Sequence, residues 1–320
     1  MYHNIRIFGP VPSRRLGKSI GINNIPPKIC SYSCVYCQLG KSSKLLSDRQ
    51  AYYDPNELLI EVKEKIKNAK SNNESIDYLT VVPDGEPTLD KNLGKLIDLL
   101  KPLGLKIAVI TNSTLLYDPE VRYEISKADW VSVKIDTLDE KIWKKIDRPH
   151  KKIAFDSLLK GIKIFSQEFD GILVTETMLV NDLNNDIKQV AEFIKDINVS
   201  VAYLSIPTRP PAYKWVQPPN EKIINTAYQI FKETFLNTEY LIGYEGNEFA
   251  YTGNVKDDIL SITSVHPMRE DAVKEYLKKA KSNFSIIDDL LQDNKIIVSE
   301  YNNERFYLRR LIPSNPNQTK

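Results

Sequence analysis

The sequence predicts an α/β fold organised around a parallel sheet, and two observations carry that prediction. Strand-like apolar runs alternate with amphipathic helical segments from Ile20 to about residue 235, six strand–helix units in succession. One of the runs, residues 78–82, is short and continuously apolar, as expected of a strand covered on both faces. Strict alternation of this kind implies right-handed crossovers that return each strand parallel to the last. Periodicity alone leaves a doubly wound open sheet and a barrel as alternatives.

Residues 5–18 are rich in turn residues and positive charge, and Ile20-Gly21-Ile22-Asn23 reads as a first strand leading into a loop. Arg14, Arg15 and Lys18 stand either to meet a substrate phosphate or carboxylate or to form a solvated basic turn. Asp54-Pro55-Asn56-Glu57 opens a helix with an N-cap Asp, Pro at the first position and Glu at the third, as in a capping box. Leu58, Leu59, Val62, Ile66 and Ala69 form its apolar stripe. After the strand at 78–82 come a helix at 90–102, a strand at 105–111, a helix at 117–127 and a strand at 130–136. A helix at 152–168, a strand at 172–179, a helix at 184–196, a strand at 199–206 and a helix from about 220 to 235 complete the alternation.

Beyond residue 235 the chain changes character. Residues 240–251 alternate weakly, and Gly243, Gly246 and Gly253 suggest irregular strands or a hairpin. Residues 269–281 predict an amphipathic helix with Val273, Tyr276, Leu277 and Ala280 on one face. Ser285-Ile286-Ile287-Asp288 reads as a second capping box opening a short helix through Leu291. Runs at 296–299 and 306–310 flank Asn302-Asn303, a hairpin signal. Helix, helix, hairpin is the outline of a small α+β winged-helix-like module. The expected organisation is a core over 1–235, a C-terminal extension carrying that module over 236–312, and a flexible tail over 313–320.

An apolar content of 42% and a charged content of 27% belong to a soluble globular protein. Lys and Arg number 44 against 42 Asp and Glu, so no global field favours nucleic acid or an anionic membrane. No apolar run is long enough to span a bilayer, and the N-terminus lacks the apolar core of a signal peptide. Sparse cysteine and no targeting signal predict a reducing, cytoplasmic setting.

All three cysteines, Cys30, Cys34 and Cys37, fall in one stretch spaced C-x3-C-x2-C. Three thiolates can converge on a metal centre but cannot close it, since a structural zinc site and an ordinary iron–sulfur cluster each want four protein ligands. A Cys3His zinc site would need His3, His150 or His266, all distant in sequence, and a disulfide would leave an odd cysteine. Tyr36 completes C-x3-C-x-aromatic-C, and this motif resembles the radical S-adenosylmethionine (SAM) superfamily. The resemblance implies a [4Fe-4S] cluster on the three cysteines, with SAM chelating the fourth iron. It also implies a partial (βα)6 TIM barrel over residues 1–235. The implied reaction is reductive cleavage of SAM to a 5′-deoxyadenosyl radical that takes hydrogen from a substrate. A flavodoxin or ferredoxin is the implied electron donor.

Barrel active sites lie at the C-terminal ends of the strands, and the residues there are chemically coherent. Pro83-Asp84-Gly85-Glu86-Pro87 is similar to the superfamily's Gly-Gly-Glu element with Asp84 in place of the first glycine. The resemblance makes Glu86 the contact for the SAM ammonium and Gly85 the point of close backbone approach. Asn112 is either a ligand to SAM or substrate or a helix N-cap. Val131, Val133 and Ile135 share one face of their strand while Ser132, Lys134 and Asp136 share the other, which suits a wet barrel interior. By resemblance that trio contacts SAM; Lys134 and Asp136 neutralising one another is the alternative. Arg148 is a candidate for the SAM carboxylate. Glu176, within a strand, is a candidate substrate or adenosyl ligand, and Arg209 a candidate for an anionic substrate.

Gly9-Pro10-Val11-Pro12-Ser13-Arg14-Arg15-Leu16-Gly17, Cys37-Gln38-Leu39-Gly40 and Lys145-Ile146-Asp147-Arg148-Pro149-His150 resemble the wyosine-synthase-related group. Members that rebuild a guanine of tRNA carry a second cluster, and this chain has no further cysteines for one. The expected function is a single-cluster radical SAM enzyme acting on an unidentified substrate, with protein, peptide and tRNA as the classes in view. A nucleic-acid- or peptide-binding regulatory module with a structural metal cluster is the alternative from another class. Asp288, Asp289 and Asp293 on the second helix of the C-terminal module oppose phosphate binding, partly offset by Arg305, Arg309 and Arg310.

Overall fold

The computed structural model describes residues 5–184, 186–241, 247 and 249–310. Its centre is an eight-stranded sheet whose strands lie side by side in chain order: β1 (Ile7–Ser13), β2 (Gly17–Ile22), β3 (Tyr78–Val81), β4 (Lys106–Ile110), β5 (Trp130–Lys134), β6 (Ile172–Met178), β7 (Val201–Ser205) and β8 (Thr238–Leu241). β1 pairs antiparallel with β2, and every later pairing is parallel. A doubly wound sheet reverses its strand order at a switch point. This order never reverses, so right-handed crossovers put every helix on the same face and the sheet curls as a barrel wall. Periodicity left that choice open, and strand order decides it for the partial barrel.

The helices between the strands are α1 (Pro55–Ser71), α2 (Leu93–Leu100), α3 (Pro119–Ile125), α4 (Glu140–Ile146), α5 (Phe155–Glu168), α6 (Ile187–Lys195) and α7 (Glu221–Thr234). Asp54 caps α1 by accepting from the Asn56 amide at 2.9 Å. Glu57 does not complete a capping box, because its carboxylate takes a hydrogen bond from Arg6 at 2.7 Å. The main core lies between sheet and helices, where Ile22, Val81, Val109, Val131 and Val133 meet Leu58, Leu96, Ile97 and Phe165. Alternate strand residues face inward and form a smaller floor of Ala108, Trp130, Val174, Tyr203 and Leu241, plugged by Leu16 of the β1–β2 turn.

In the barrel, three elements depart from the sequence reading. Residues 7–13, read as turn, form β1; its Pro10 and Pro12 are tolerated because an edge strand leaves one side without ladder bonds. α4 was not anticipated; it is only seven residues long and is capped by Asp139, which accepts from the Lys141 and Ile142 amides at 2.7 and 3.1 Å. β8 carries the parallel sheet to Leu241, past the expected core boundary at residue 235. The barrel stays open among the described residues, and the gap is spanned where the Arg14 guanidinium donates to the Leu241 carbonyl.

The C-terminal part comprises α8 (Val255–Val265), β9 (Met268–Arg269), α9 (Glu270–Lys279), α10 (Ser285–Gln292), β10 (Ile296–Tyr301) and β11 (Glu304–Arg309), with a sheet ordered β9-β11-β10. α8 was unforeseen. Ser285 is the first residue of α10 and not its cap; Phe284 stands at the N-cap, and Asn283 before it accepts from the Ser285 amide at 3.1 Å. Asn302 and Asn303 turn the hairpin with φ of 51° and 61°, the left-handed geometry that asparagine tolerates. This unit packs on the barrel: Phe8 and Val11 of β1 share a core with Ile259, Ile262, Tyr276 and Tyr307. The expected tail at 313–320 lies outside the described residues, as do residues 242–246 and 248 of the irregular strand or hairpin expected over 240–251. Among the described residues no helix is long and apolar enough to cross a membrane.

Leu16 is 3% exposed and closes the barrel floor. Leu16→Ala is expected to lower the unfolding free energy by about 2–5 kcal/mol through the cavity it leaves, read from a urea denaturation midpoint.

Candidate active site

At the C-terminal ends of the strands a cavity of about 360 Å³ is lined by all three cysteines together with Glu86, Asn112, Ser132, Lys134 and Glu176. The cysteine loop is held against it by backbone bonds from several directions. Glu86 N donates to Ile29 O at 3.2 Å, His150 N to Ser31 O at 2.8 Å, Val35 N to Ile146 O at 2.8 Å and Tyr213 N to Val35 O at 3.2 Å. Burial pushes the Cys30 thiol up to about 12, with the Glu86 carboxylate adding to the effect. Burial raises Cys34 as well, seconded by Asp147, whose carboxylate accepts from its thiol at 3.4 Å, and burial also raises Cys37. Thiols so placed ionise only against a strong local positive charge such as bound iron.

Among the described residues no three acidic, His or Cys side chains converge on a point that would hold one metal ion. Three thiols spread around a single cavity suit a cluster, which takes each thiolate at a different iron. Neither His150 nor His266 lines this cavity, so neither offers a fourth ligand there.

Gly85 has a definite reason to be glycine, and the reason is internal. A Cβ on it would lie 1.8 Å from the carbonyl oxygen of Ile29, where the cysteine loop crosses the β3 loop. Its close approach is to this chain's own backbone. Glu86 is 1% exposed and ties two strand ends together. Its Oε1 accepts from the Thr88 amide at 3.2 Å and from the Thr88 and Thr111 hydroxyls, each at 2.6 Å, while Oε2 accepts from the Asn112 amide at 2.7 Å. Oε2 keeps acceptor capacity towards the cavity. No helix starts at Asn112, so it is not a helix N-cap; it closes a turn, its Oδ1 accepting from the Thr114 amide at 3.1 Å, while its Nδ2 donates to Ser31 Oγ at 2.8 Å and lies 3.6 Å from Cys30 Sγ. Asp84 lines a neighbouring cavity instead of this one.

The face expected to be polar is polar. Val131, Val133 and Ile135 enter the helix-side core, and Ser132 and Lys134 line the cavity. Lys134 pairs with Glu176 at 3.0 Å, not with Asp136, and its ammonium sits 4.9 Å from the centre of the Tyr36 ring. Glu176 also accepts from Arg15 at 2.6 Å and Ser205 at 3.0 Å. Burial works against the Glu176 carboxylate, but Lys134 and Arg15 overcome it and hold its pKa well below the usual range. Burial likewise opposes the Lys134 ammonium and is outweighed by Glu176 and Asp136, which raise it. Asp136 sits just outside the cavity, accepting from the Met178 amide at 2.7 Å and from the Tyr36 hydroxyl. Arg148 is not brought to the cavity; its guanidinium lies 4.2 Å from the centre of the Tyr213 ring and donates to that hydroxyl. Arg209 does reach the rim.

Two residues carry more than their sequence context suggested. Arg15 does not lie in a solvated turn: it crosses the barrel interior, donates to Ser132 at 3.2 Å and stacks 5.5 Å from Trp130. Asp147, inside the Lys145–His150 motif, is 2% exposed and touches both Cys34 and the Tyr36 hydroxyl. Its only sequence signal was that motif.

Comparison with known proteins agrees with this geometry. The pattern of the radical SAM superfamily matches residues 24–194. The chain belongs to the radical SAM superfamily, whose enzymes work with a [4Fe-4S] cluster and S-adenosylmethionine. More narrowly, it is 46% identical over 309 residues to a UPF0026 protein of Methanocaldococcus jannaschii, covering 95% of this chain and 96% of that one. Two solved structures share the fold. A radical SAM methyltransferase from Sphaerobacter thermophilus has a TM-score of 0.55 at 13% identity, covering 70% of this chain and 66% of that one. TYW1 with a lysine-pyruvate adduct bound has a TM-score of 0.52 at 16% identity, covering 68% and 75%.

Two outcomes follow from the buried charges. Glu176→Gln leaves Lys134 and Arg15 without their shared carboxylate and is expected to cost about 3–5 kcal/mol near neutral pH. Because the folded pKa lies below the ordinary 4.5, that contribution is complete above about pH 4.5 and fades only in stronger acid, so denaturation of wild type and variant should converge there. Asp84 behaves oppositely. Burial pushes it from 3.8 to about 8, so the folded protein binds the extra proton and loses stability as pH rises through that interval. The melting temperature of Asp84→Asn, measured from about pH 5 to 8, is expected to fall less steeply than that of wild type.

Proposed function

We propose that the cavity at the strand ends is the cluster and SAM site of a radical SAM enzyme. The observation that carries this is that Cys30, Cys34 and Cys37 all line one cavity with the polar inner face of the barrel. In this reading the three cysteines hold the [4Fe-4S] cluster. Glu86, through its remaining Oε2 acceptor, with Asn112, Ser132 and Lys134, holds SAM. Tyr36 and Asp136 act one step back, Tyr36 by carrying the Lys134 ammonium on its ring and Asp136 by fixing the Tyr36 hydroxyl. When bound, the cluster and SAM supply reductive cleavage of the SAM sulfonium. The chain's own work is to bind, orient and exclude water. Glu176 keeps Lys134 charged and aimed. Arg209 stands at the rim towards substrate, and Arg148 and Asp84 fall outside the SAM contacts.

The remaining assignments belong to the same reading. The reductant is a flavodoxin or ferredoxin, the setting is the cytoplasm, and the C-terminal unit is winged-helix-like. Its helix–strand–helix–helix–hairpin order supports that last point. A nucleic-acid role for the unit is disfavoured by the acidic residues of α10, where Asp289 already pairs with Lys256 at 3.1 Å. With three cysteines in the whole chain, a two-cluster wyosine-type reaction on tRNA is also disfavoured.

Anaerobic reconstitution with iron and sulfide should give a reduced [4Fe-4S] EPR signal that SAM perturbs, with 5′-deoxyadenosine formed. Cys30→Ala, Cys34→Ala and Cys37→Ala should each abolish both. Uptake of zinc in place of a cluster, or a cluster indifferent to SAM, would sink the proposal.

A further inference from the structure

Asn112 stands where the end of β4 meets the cysteine loop, and its side-chain amide can be assigned atom by atom. Oδ1 accepts from the Thr114 amide at 3.1 Å and from the Thr114 hydroxyl at 2.7 Å. A backbone N–H only donates, so the Thr114 contact fixes Oδ1 on that side and Nδ2 on the other. Nδ2 has two hydrogens to place. One goes to Ser31 Oγ at 2.8 Å, and Ser31 Oγ lies 2.6 Å from Thr114 Oγ1. The chain Asn112 Nδ2 to Ser31, Ser31 to Thr114 and Thr114 back to Asn112 Oδ1 is closed, and Ser31 and Thr114 are fully buried. The second Nδ2 hydrogen is left for Cys30 Sγ at 3.6 Å, a hydrogen-bonding separation for an atom as large as sulfur.

The turn that carries this amide is pinned from three strand ends. The Asn112 backbone N–H donates to Glu86, beyond β3, at 2.7 Å. Ser113 takes a φ of 72°, a region few non-glycine residues adopt, and its Oγ accepts from the Lys134 amide of β5 at 2.9 Å. Closing such a turn needs only a side-chain oxygen, which serine or aspartate also supplies. The hydrogen aimed at Cys30 therefore has no work in the turn. Cys30 Sγ accepts from the Tyr32 amide too, at 3.4 Å, whereas Cys34 faces the Asp147 carboxylate at 3.4 Å. The thiols are not equivalent, and N–H donors gather at Cys30.

We propose that Asn112 is a positioning residue that raises the reduction potential of the cluster by donating its second Nδ2 hydrogen to the Cys30 thiolate. The inference rests on the radical SAM reading, in which Cys30 is a cluster ligand. An N–H bond draws charge from the sulfur and favours the reduced, more negative cluster, so a weaker reductant suffices to load it.

The test uses the reconstituted full-length protein without SAM, so that no SAM contact of the same side chain enters, reduced with titanium(III) citrate. In protein carrying side-chain ¹⁵N-asparagine, the HYSCORE spectrum of the reduced cluster should show a ¹⁵N coupling, because Asn112 is the one asparagine lining the cavity among the described residues. Asn112→Ser should abolish it. In an EPR-monitored redox titration, Asn112→Ser and Asn112→Ala should both have a lower midpoint potential. The reduced-to-oxidised ratio at a fixed potential should fall about three- to tenfold, or about 30–60 mV for one electron. Serine keeps an oxygen for the Thr114 amide but is too short to reach Cys30. Water admitted into the gap would raise the potential, so a fall in both variants identifies the lost donor. A wild-type spectrum without ¹⁵N coupling overturns the proposal even if neither variant folds. So does an unchanged or higher potential in Asn112→Ser, which would leave the side chain as a turn-former only. A chain that assembles no [4Fe-4S] cluster overturns this inference and the radical SAM reading together, whereas a cluster that SAM perturbs but ¹⁵N does not couple to removes this inference alone.

Discussion

The buried charge network across the barrel interior is the constraint on which the rest of the site depends. A sheet whose outer face is the main apolar core has to keep its inner face open and polar to hold charged ligands. Polar groups in such a place are costly unless each is answered. Glu176 answers two cations at once, Lys134 and Arg15, and takes a third hydrogen bond from Ser205. The three cationic and hydroxyl partners come from β5, the β1–β2 turn and β7, so one carboxylate registers distant parts of the barrel. Lys134 is held by Glu176 at 3.0 Å and by the Tyr36 ring beside it, and pairs with that carboxylate rather than with Asp136, its neighbour in sequence.

Much of this was legible in the chain. Period-2 alternation at residues 131–136 separated the helix-side residues from the inner ones, and the inner Ser132 and Lys134 do face the cavity. The cysteine spacing pointed to three thiols acting together, and all three line one cavity. What stayed hidden was pairing at long range. Nothing at Arg15, inside a proline-rich hairpin, tells that it reaches Glu176, 161 positions later. A side chain's partner across a barrel depends on strand order and tilt, and local pattern carries neither. α4 was missed for a different reason: seven residues give too few turns for a periodic stripe, and only its Asp139 cap marks it.

The Asp84-Gly85-Glu86 element has a structural task of its own. As a ligand-binding turn, its glycine would admit the ligand. Here the glycine admits the Ile29 carbonyl, and Glu86 spends most of its acceptor capacity on Thr88, Thr111 and Asn112. The element therefore fixes the cysteine loop to the ends of β3 and β4 before it touches any ligand. Asp84, two residues before Glu86, lies in a bend beyond the strand end and lines the neighbouring cavity instead.

Closure of the barrel floor completes the arrangement. A partial barrel is open along one side, and water entering there would meet both the charge network and any reactive species above it. The β1–β2 turn counters this with three consecutive residues, each doing a separate task. Arg14 reaches the Leu241 carbonyl across the gap, Arg15 rises into the interior beneath Ser132 and Glu176, and Leu16 fills the floor against Trp130 and Tyr203. The C-terminal unit then covers the face of β1 turned away from the helices, through Phe8 and Val11. The N-terminal hairpin and the C-terminal unit are thus one structural device: the first seals the floor, and the second holds the first in place. Access is left to the strand ends, where the cysteines are.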